Sequence, residues 1–268
     1  MVELGRLGYG AADVGNLYRA MSDAEARAVL EAAWESGVRY FDTAPHYGLG
    51  LSERRLGSFL ATKPREQFRV STKAGRLLRP SPETAARQDD AHGFAVPASL
   101  RRVWDFSAAG IRASLDESLE RLGLSRVDIL YLHDPDEHDL AADLAMVAGR
   151  YTLLEQPALD EVIPACRAAG VGIVAASVFN SGLLATPNPR AGDRYEYGAA
   201  PDELLERARR LAEICARHGV ALPEAALQFP LREPAVRCVV AGGATAEQVR
   251  ENARRMRVRL PERLWDEL

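Results

Sequence analysis

The sequence predicts an α/β barrel, with parallel strands inside and helices outside. Short apolar runs alternate with amphipathic helical stretches, the pattern of parallel strands joined by crossover helices. Asp42, Tyr47, Lys73 and His133 each lie where an apolar run gives way to Gly, Pro or polar residues. In a parallel barrel such positions form the C-terminal rim, where catalytic residues gather. The chain has 268 residues, 47% hydrophobic and 27% charged. That is enough for a sizeable core in one globular unit, 1–268, and a barrel can use this length as a single domain.

The elements follow in order. Leu7 to Ala12 is a first, Gly-rich strand end. Ser22-Asp23-Ala24-Glu25 is a capping-box pattern that opens a helix to about Ser36, and Gly37 stops it. Val38 to Asp42 is the second strand, Leu51 to Leu60 a helix and Phe68 to Lys73 a third strand. Arg76 to Arg102 is a long Pro- and charge-rich connection, of a length usually reserved for lids or disordered segments. Ala108 to Leu122 is a helix ended by Gly123, and Val127 to His133 a strand. Ala145 to Ala148 begins another strand. A helix runs from Pro157 to Ala169, then an apolar strand from Val171 to Ser177. A long helix spans Pro201 to His218 and a short one Pro223 to Phe229. Val236 to Ala241 is the last strand, and Thr245 caps a helix to Arg255.

Composition removes several function classes. The formal charge of -4 carries no nucleic-acid signal. Arg207, Arg209, Arg210 and Arg217 share one helix with Glu203, Glu206 and Glu213, which reads as a solvated face. No apolar stretch approaches the ~20 residues of a membrane span, and the start Met1-Val2-Glu3-Leu4-Gly5 shows no signal peptide. Cys166, Cys215 and Cys238 are few and far apart, so reduced buried thiols in a cytoplasmic protein are expected. His133-Asp134-Pro135-Asp136-Glu137-His138 invites a metal reading, but Pro135 and the irregular spacing favour a solvated loop, and no metal is expected.

The four rim residues carry the chemistry. A free phenol has a pKa of ~10, too high for a base at neutral pH. A nearby ammonium favours the phenolate. Lys73 can supply that charge to Tyr47, and Asp42 can hold Lys73. Each residue also has a plain structural use: Tyr47 can pack in its loop, Lys73 can snorkel at a strand end, and His133 can be a satisfied core histidine. His46 beside Tyr47 can touch substrate or shape the loop.

The motifs around these residues resemble the aldo-keto reductases. The matching stretches are Phe41-Asp42-Thr43-Ala44-Pro45-His46-Tyr47-Gly48, Ser52-Glu53-Arg54-Arg55-Leu56-Gly57, Ser71-Thr72-Lys73, and the run from Ser114 to Gly123. Val127 to Asp134 and Thr245-Ala246-Glu247-Gln248-Val249-Arg250-Glu251-Asn252 continue them in the family's order. Tyr131 to Asp136 and Ala148 to Leu154 are most similar to the sugar-oxidising branch, which includes fucose, galactose and other aldose 1-dehydrogenases and the pyridoxal 4-dehydrogenases.

The resemblance implies a TIM-type (β/α)8 barrel and an NAD(P)-dependent oxidation of an aldose at C1 to a lactone. It implies Tyr47 as acid/base, Lys73 and Asp42 as its supports and His133 as the group that orients the substrate oxygen. Ser177, Phe179, Ser181, Gly182 and Leu183 resemble the loop that covers the pyrophosphate. Gly242, Gly243, Thr245, Gln248 and Asn252 resemble the turn and helix start that bind the far phosphate. Both stretches also read as ordinary strand-to-helix turns. Where many NADP-using relatives carry Lys and Arg, this chain has Gly242 and Gln248, so NAD is expected over NADP. The nicotinamide-stacking aromatic aligns with Ala176 and the amide-holding Gln with Ala148.

One stretch departs from the family pattern. Relatives place a helix, a strand and another helix after the histidine strand, and that strand carries a Ser-Asn pair. Here Asp136 to Asp143 must make the connection. Eight residues reach at most ~29 Å, while a parallel crossover takes a dozen or more. The chain is therefore short by about one and a half β/α units, and a seven-strand or distorted barrel is expected. Closing the gap would pair Val127–His133 with Ala145–Ala148; leaving it open would expose strand edges. Two functions follow: a sugar dehydrogenase, or a catalytically impaired relative with at most nucleotide binding or a scaffold role.

Overall fold

The computed structural model describes residues 3–134, 143–196 and 198–268. Seven parallel strands form a nearly closed barrel: β1 (Leu7–Gly10), β2 (Tyr40–Asp42), β3 (Arg69–Ala74), β4 (Ile129–Leu132), β5 (Leu144–Ala148), β6 (Gly172–Ala176) and β7 (Val236–Ala241). Their hydrogen-bonded order is β4-β3-β2-β1-β7-β6-β5. The register sets Tyr9 beside Phe41, Asp42 beside Ser71 and Lys73 beside Tyr131. Asp42 and Lys73 thereby reach the same end of the barrel.

The helices start and stop where their caps dictate. In α1 (Asp23–Glu35) the Ser22 hydroxyl accepts from Glu25 N–H, and the Glu25 carboxylate accepts from Ser22 N–H at 2.8 Å. The next helices are α2 (Leu51–Leu60) and α3 (Ala108–Leu122), the latter closed by Gly123 at φ +63°. They touch so closely that a Cβ on Gly57 would lie 2.1 Å from the Leu122 carbonyl oxygen. The expected helix from Pro157 divides into a 3-10 turn, Pro157–Leu159, and α4 (Val162–Ala169), because Glu161 leaves helical geometry at φ -133°. The set ends with α5 (Asp202–Arg217), α6 (Leu222–Gln228), α7 (Ala246–Arg255) and α8 (Glu262–Trp265). The arginine-rich α5 turns Leu205, Ala208, Leu211 and Cys215 inward and its charges outward. All three cysteines are free and buried. Among the described residues no helix is long and apolar enough to cross a membrane.

The core has layers. Phe41, Val70, Phe59 and Leu30 pack between the sheet and α1–α2, and Ile173, Ala175 and Val239 pack toward α4. The opposite strand faces fill the barrel with Tyr40, Val174, Cys238 and Val240, joined by half-buried Ile129, Leu144 and Met146. A strand that is buried on both faces reads as a continuous apolar run, as β6 and β7 do.

The closure of β4 onto β5 does not form. The two strands stand at opposite ends of the sheet order and share no ladder among the described residues, and Leu130 on β4 is exposed. The seam follows from the short connection, most of which, 135–142, lies outside the described residues, as does the metal reading of Pro135 to His138.

The segment expected as a long loop is instead two antiparallel ribbons. Arg76–Pro80 pairs with Leu100–Trp104, and Gln88–Asp89 with Phe94–Pro97. Leu78, Phe94 and Val96 bury against Leu49 and Tyr47, so the ribbons fold back over the rim.

The open seam generates a prediction. Burial contributes about 25 cal/mol per Å², so several hundred Å² of uncovered surface amounts to ~10 kcal/mol, comparable to a domain's whole margin. A variant carrying a relative's strand–helix unit between Asp134 and Asp143 should melt at higher temperature and associate less. Equal melting curves and equal sedimentation for the two proteins would show that the seam costs nothing.

Candidate active site

The barrel rim gathers the four predicted side chains. Lys73 Nζ donates to Asp42 Oδ2 at 2.6 Å and to the Thr43 carbonyl at 3.0 Å. Ser71 Oγ donates to the other Asp42 oxygen at 2.7 Å. Tyr40 Oη lies 3.0 Å from Ser71 Oγ and 3.3 Å from Tyr131 Oη. Lys73 and Asp42 are both buried, so the pair is held inside a hydrogen-bonded cage. The Lys73 ammonium sits 4.8 Å from the centre of the Tyr47 ring, and the His133 ring lies 6.3 Å from Tyr47, edge to face.

Burial and charge act in opposite directions here. Burial raises the Tyr47 phenol above its usual pKa, the Lys73 ammonium lowers it, and the net shift is upward. The sequence argument weighed only the ammonium. Burial disfavours the charged lysine, but Asp42 and Tyr47 outweigh it and hold Lys73 above its ordinary value. Burial, then Lys73 and Arg76, push His133 far below the usual imidazole range. His133 is therefore neutral at physiological pH, and its Nδ1 has no hydrogen-bond partner among the described residues.

Ser52 and Glu53, noted in the sequence only as part of a motif, hold this rim from behind. Ser52 Oγ donates to the Ala11 carbonyl at 2.7 Å and meets Thr43 Oγ1 at 2.8 Å. The buried Glu53 carboxylate accepts from Thr72 Oγ1 at 2.7 Å and from Arg121 Nε at 2.5 Å. Thr43 follows Asp42 and Thr72 precedes Lys73, so α2 clamps both strand ends. The Tyr47 turn is fixed by Gly48, at φ +59°, where a Cβ would lie 2.1 Å from the Gly15 carbonyl oxygen.

The ribbons add groups that sequence reasoning missed. Arg102 donates to His46 Nδ1 at 2.5 Å, to the His46 carbonyl at 2.9 Å, and to both Asp89 oxygens at 2.9 and 2.6 Å. Arg76 pairs with Asp134 beside His133. Phe94 packs against Tyr47 and His46 at 6.1 and 5.3 Å between ring centres. No local signal linked these residues, because the ribbon's return over the rim is a long-range contact.

One cavity of about 2160 Å³ connects the rim to the seam. It is larger than the roughly 300–1,000 Å³ of an ordinary ligand pocket, because it runs down between β4 and β5. Asp42, Tyr47, Lys73 and His133 line it, as do Ser177, Phe179, Ser181, Gly182, Gly242, Gly243, Gln248 and Asn252. Leu183 and Thr245 do not. Leu183 is wholly buried in the core under α5, and Thr245 caps α7 by accepting from Gln248 N–H at 3.2 Å. Asn252 donates to the Gly242 carbonyl, and Gln248 accepts from Ala244 N–H.

The turn expected to bind phosphate packs closely against its neighbours. A Cβ on Gly243 would come within 2.8 Å of Val249 and one on Gly242 within 2.7 Å of the Asp13 carboxylate. Only glycines allow that close packing. The turn is not empty of cations, as the sequence implied. Arg19 donates to the Ala244 carbonyl at 2.7 Å, though Glu25 lies 3.6 Å from it. At the other end, Ala148 and Ala176 line the cavity, so neither an aromatic stack nor a side-chain amide is offered there. Asp13 was also missed. Burial raises its carboxyl to about 6, against the opposing pull of the Gly243 N–H and Arg19.

The family model described as the aldo/keto reductase family matches residues 6–142 and 137–268. D-threo-aldose 1-dehydrogenase of a Pseudomonas species is 55% identical over 98% of this chain and 92% of that protein. Pyridoxal 4-dehydrogenase of Microbacterium luteolum is 36% identical over the same shares, 98% and 92%. Among solved structures, the glycerol dehydrogenase of Gluconobacter oxydans superposes with a TM-score of 0.75 at 19% identity, covering 98% of this chain and 90% of that one. The aldo-keto reductase of Bacillus halodurans gives 0.72 at 21%, covering 98% and 92%. These structures share the fold. The two pieces of the family match meet at 137–142, where the connection is short. The alignment with the Pseudomonas protein spans 303 positions, of which this chain, at 98% of 268 residues, leaves roughly 40 unfilled. That is more than the ~30 residues of one βαβ unit.

Two substitutions test this electrostatic description. Asp42→Asn leaves the Lys73 ammonium buried and unpaired and should cost about 3–5 kcal/mol in urea unfolding at pH 7. The Lys73 contribution is present below its unfolded value of ~10.4 and fades as pH rises above that, so the gap between the two proteins should narrow in alkali. Asp13 has the opposite consequence at neutral pH. Its folded pKa of about 6 exceeds the unfolded ~3.9, so its favourable contribution is full below the unfolded value and is lost as pH rises through 6. Solvent in the cavity reaches the carboxylate and reduces the effect. Asp13→Asn should therefore gain about 1–2 kcal/mol at pH 8 and nothing at pH 4. A gain of equal size at both pH values would remove ionisation as the cause.

Proposed function

Since the chain belongs to the aldo/keto reductase family, a family that uses NAD(P)H, we propose that it oxidises an aldose at C1 to the lactone, with NAD as the preferred cofactor. The observation that carries this reading is the caged Asp42–Lys73 pair beside Tyr47, with neutral His133 across the same cavity. The relative that is 55% identical is named for an aldose 1-dehydrogenase, and polar rim groups suit a sugar.

The nicotinamide ring, when bound, supplies the hydride acceptor. Tyr47 takes the proton from the C1 hydroxyl. Lys73 stabilises the phenolate that must form first, and Asp42 fixes Lys73 through Oδ2 while Ser71 occupies Oδ1. His133 hydrogen-bonds the reacting oxygen and orients it. Ser177, Phe179, Ser181 and Gly182 would hold the pyrophosphate, with Leu183 anchoring that loop in the core. Gly242, Gly243, Gln248 and Asn252 shape the far phosphate turn, with Thr245 as its helix cap. NAD is favoured because Gly242 and Gln248 bring no cation for a 2′-phosphate, Arg19 faces Glu25 and Asp13, and Arg250, Arg254 and Arg255, which also line the cavity, are each paired with a glutamate.

A second reading keeps nucleotide binding without turnover. Ala148 and Ala176 at the nicotinamide end and the unpaired β4 and β5 edges favour it. Quenching of Trp34 and Trp104 fluorescence by NAD, measured beside NADH production from L-fucose or D-arabinose, separates the two. Quenching without turnover would select the second.

Tyr47→Phe should lower turnover by roughly 10²–10⁴-fold while leaving the quenching titration with NAD nearly unchanged. A steady-state rate equal to that of the unaltered protein would take Tyr47 out of the mechanism. For the cofactor, a missing charge-assisted contact is worth about 1.5–3 kcal/mol, so NADP should bind about 10–100-fold more weakly than NAD. Tighter binding of NADP in the same titration would reverse the assignment.

A further inference from the structure

The turn from Gly242 to Ala244 has its backbone engaged by side chains on every residue. Its carbonyls accept from Asn252 at 3.1 Å, from Tyr9 Oη at 3.1 Å and from Arg19 at 2.7 Å, in chain order. Its N–H groups donate as well. The Ala244 N–H meets Gln248 Oε1 at 2.8 Å, and the Gly243 N–H meets the Asp13 carboxylate. Backbone N–H groups just ahead of a helix are the donors that an anion takes. Asp13 is an anion that the chain itself supplies to this turn.

The backbone places that carboxylate. Asp13 begins a 3-10 turn, Asp13–Gly15, shortly after β1. The register sets Tyr9 on β1 beside Ala241 on β7, so the two strands deliver Asp13 and Gly242 to the same spot. A Cβ on Gly242 would stand 2.7 Å from Asp13 Oδ2. Asp13 lines the same cavity as Gly242, Gly243 and Gln248. Gly242 and Gln248 are the positions at which NADP-using relatives carry their cations. A glycine there only removes an attraction, whereas Asp13 adds a negative charge beside it. Arg19, the cation held on this turn, faces Asp13 and Glu25. Glu247 and Glu251 also line the cavity, but Glu251 pairs with Arg254 and Arg255, and Glu247 lies in the first turn of α7, outside the Gly242–Ala244 backbone.

We propose that the Asp13 carboxylate shuts the 2′-phosphate out of this turn, which makes Asp13 the residue that selects NAD over NADP. The proposal rests on the cofactor reading above and deepens it, from a missing attraction to a built-in repulsion. Like charges a few Å apart repel even where solvent reaches them. Specificity commonly combines a lost attraction with such an opposing charge. The ribose hydroxyl that NAD carries in place of the phosphate is neutral and meets no such penalty.

Calorimetric titration with NAD and with NADP, at pH 8 and without sugar, reads the contact through the ratio of the two Kd values. At that pH the Asp13 carboxyl, held at about 6, is ionised. The unaltered protein should bind NADP about 10–100-fold more weakly than NAD. Asp13→Asn keeps the size and removes the charge. It should narrow the gap by about tenfold, chiefly by tightening NADP. Asp13→Ala should narrow it in the same direction. Glu247→Gln removes a carboxylate from the same cavity but not from the turn, and should move the ratio far less. An unchanged ratio in either folded Asp13 variant would overturn the inference. So would an equal shift from Glu247→Gln, which would trace the effect to net charge. If one Asp13 variant does not fold, the other decides through the same ratio. Because no sugar is present, failure of the protein to oxidise an aldose leaves this result standing. Failure of the unaltered protein to bind either nucleotide would instead overturn the cofactor reading, and this inference with it.

Discussion

The buried ion pair between Lys73 and Asp42 is the constraint around which the rim is built. An unpaired charge at that depth costs several kcal/mol, and the pair repays its desolvation only if the remaining hydrogen-bonding positions are filled. Here they are filled by Ser71, the Thr43 carbonyl and, one step further, Tyr40. Those partners lie on β2, β3 and the start of the loop after β2, so satisfying the charges fixes the register of the two strands. The same register gives Glu53 and Ser52 their places behind the rim. Structural support and the proposed proton-transfer chemistry therefore draw on one network.

The seam is the counterweight. A seven-strand barrel that does not close leaves two strand edges and one side of its inner core facing a cavity. The inner layer compensates with half-buried Ile129, Leu144 and Met146. The rim is less disturbed than the interior, because its supports run through β1, β2, β3, α2 and α3 and not through the unpaired edges of β4 and β5. Asp42, Tyr47 and Lys73 therefore sit on the intact side of the barrel, whereas His133 follows β4, one of the two seam strands. The end of the cavity proposed for the nicotinamide, lined by Ala148 and Ala176, belongs to β5 and β6 beside the seam.

Much of this was legible in the residues. Asp42, Tyr47 and Lys73 stand out because each ends an apolar run, and the end of a parallel strand has only one place to be. The caps at Ser22 and Thr245 marked helix starts to within a residue or two, since a side-chain oxygen three positions ahead of an N–H is a local contact. The ribbons from Arg76 to Trp104 were not legible as strands. Their charges masked the alternation of Leu78, Phe94 and Val96, and antiparallel pairing across twenty residues is set by what they cover. For the same reason Arg102, Asp89 and Asp13 carried no sequence signal.

By itself the sequence determined the order of the barrel strands and outer helices, the rim location of the four reactive side chains and the shortage of chain after His133. These depend on periodicity, caps and reach, all of which act over a few residues. Only the tertiary structure decided that β4 and β5 stay apart, that burial outweighs Lys73 in setting the Tyr47 phenol, and that Arg102 returns to hold His46. Those outcomes depend on how much water is excluded and which distant backbone segments meet, and neither quantity exists until the chain is packed.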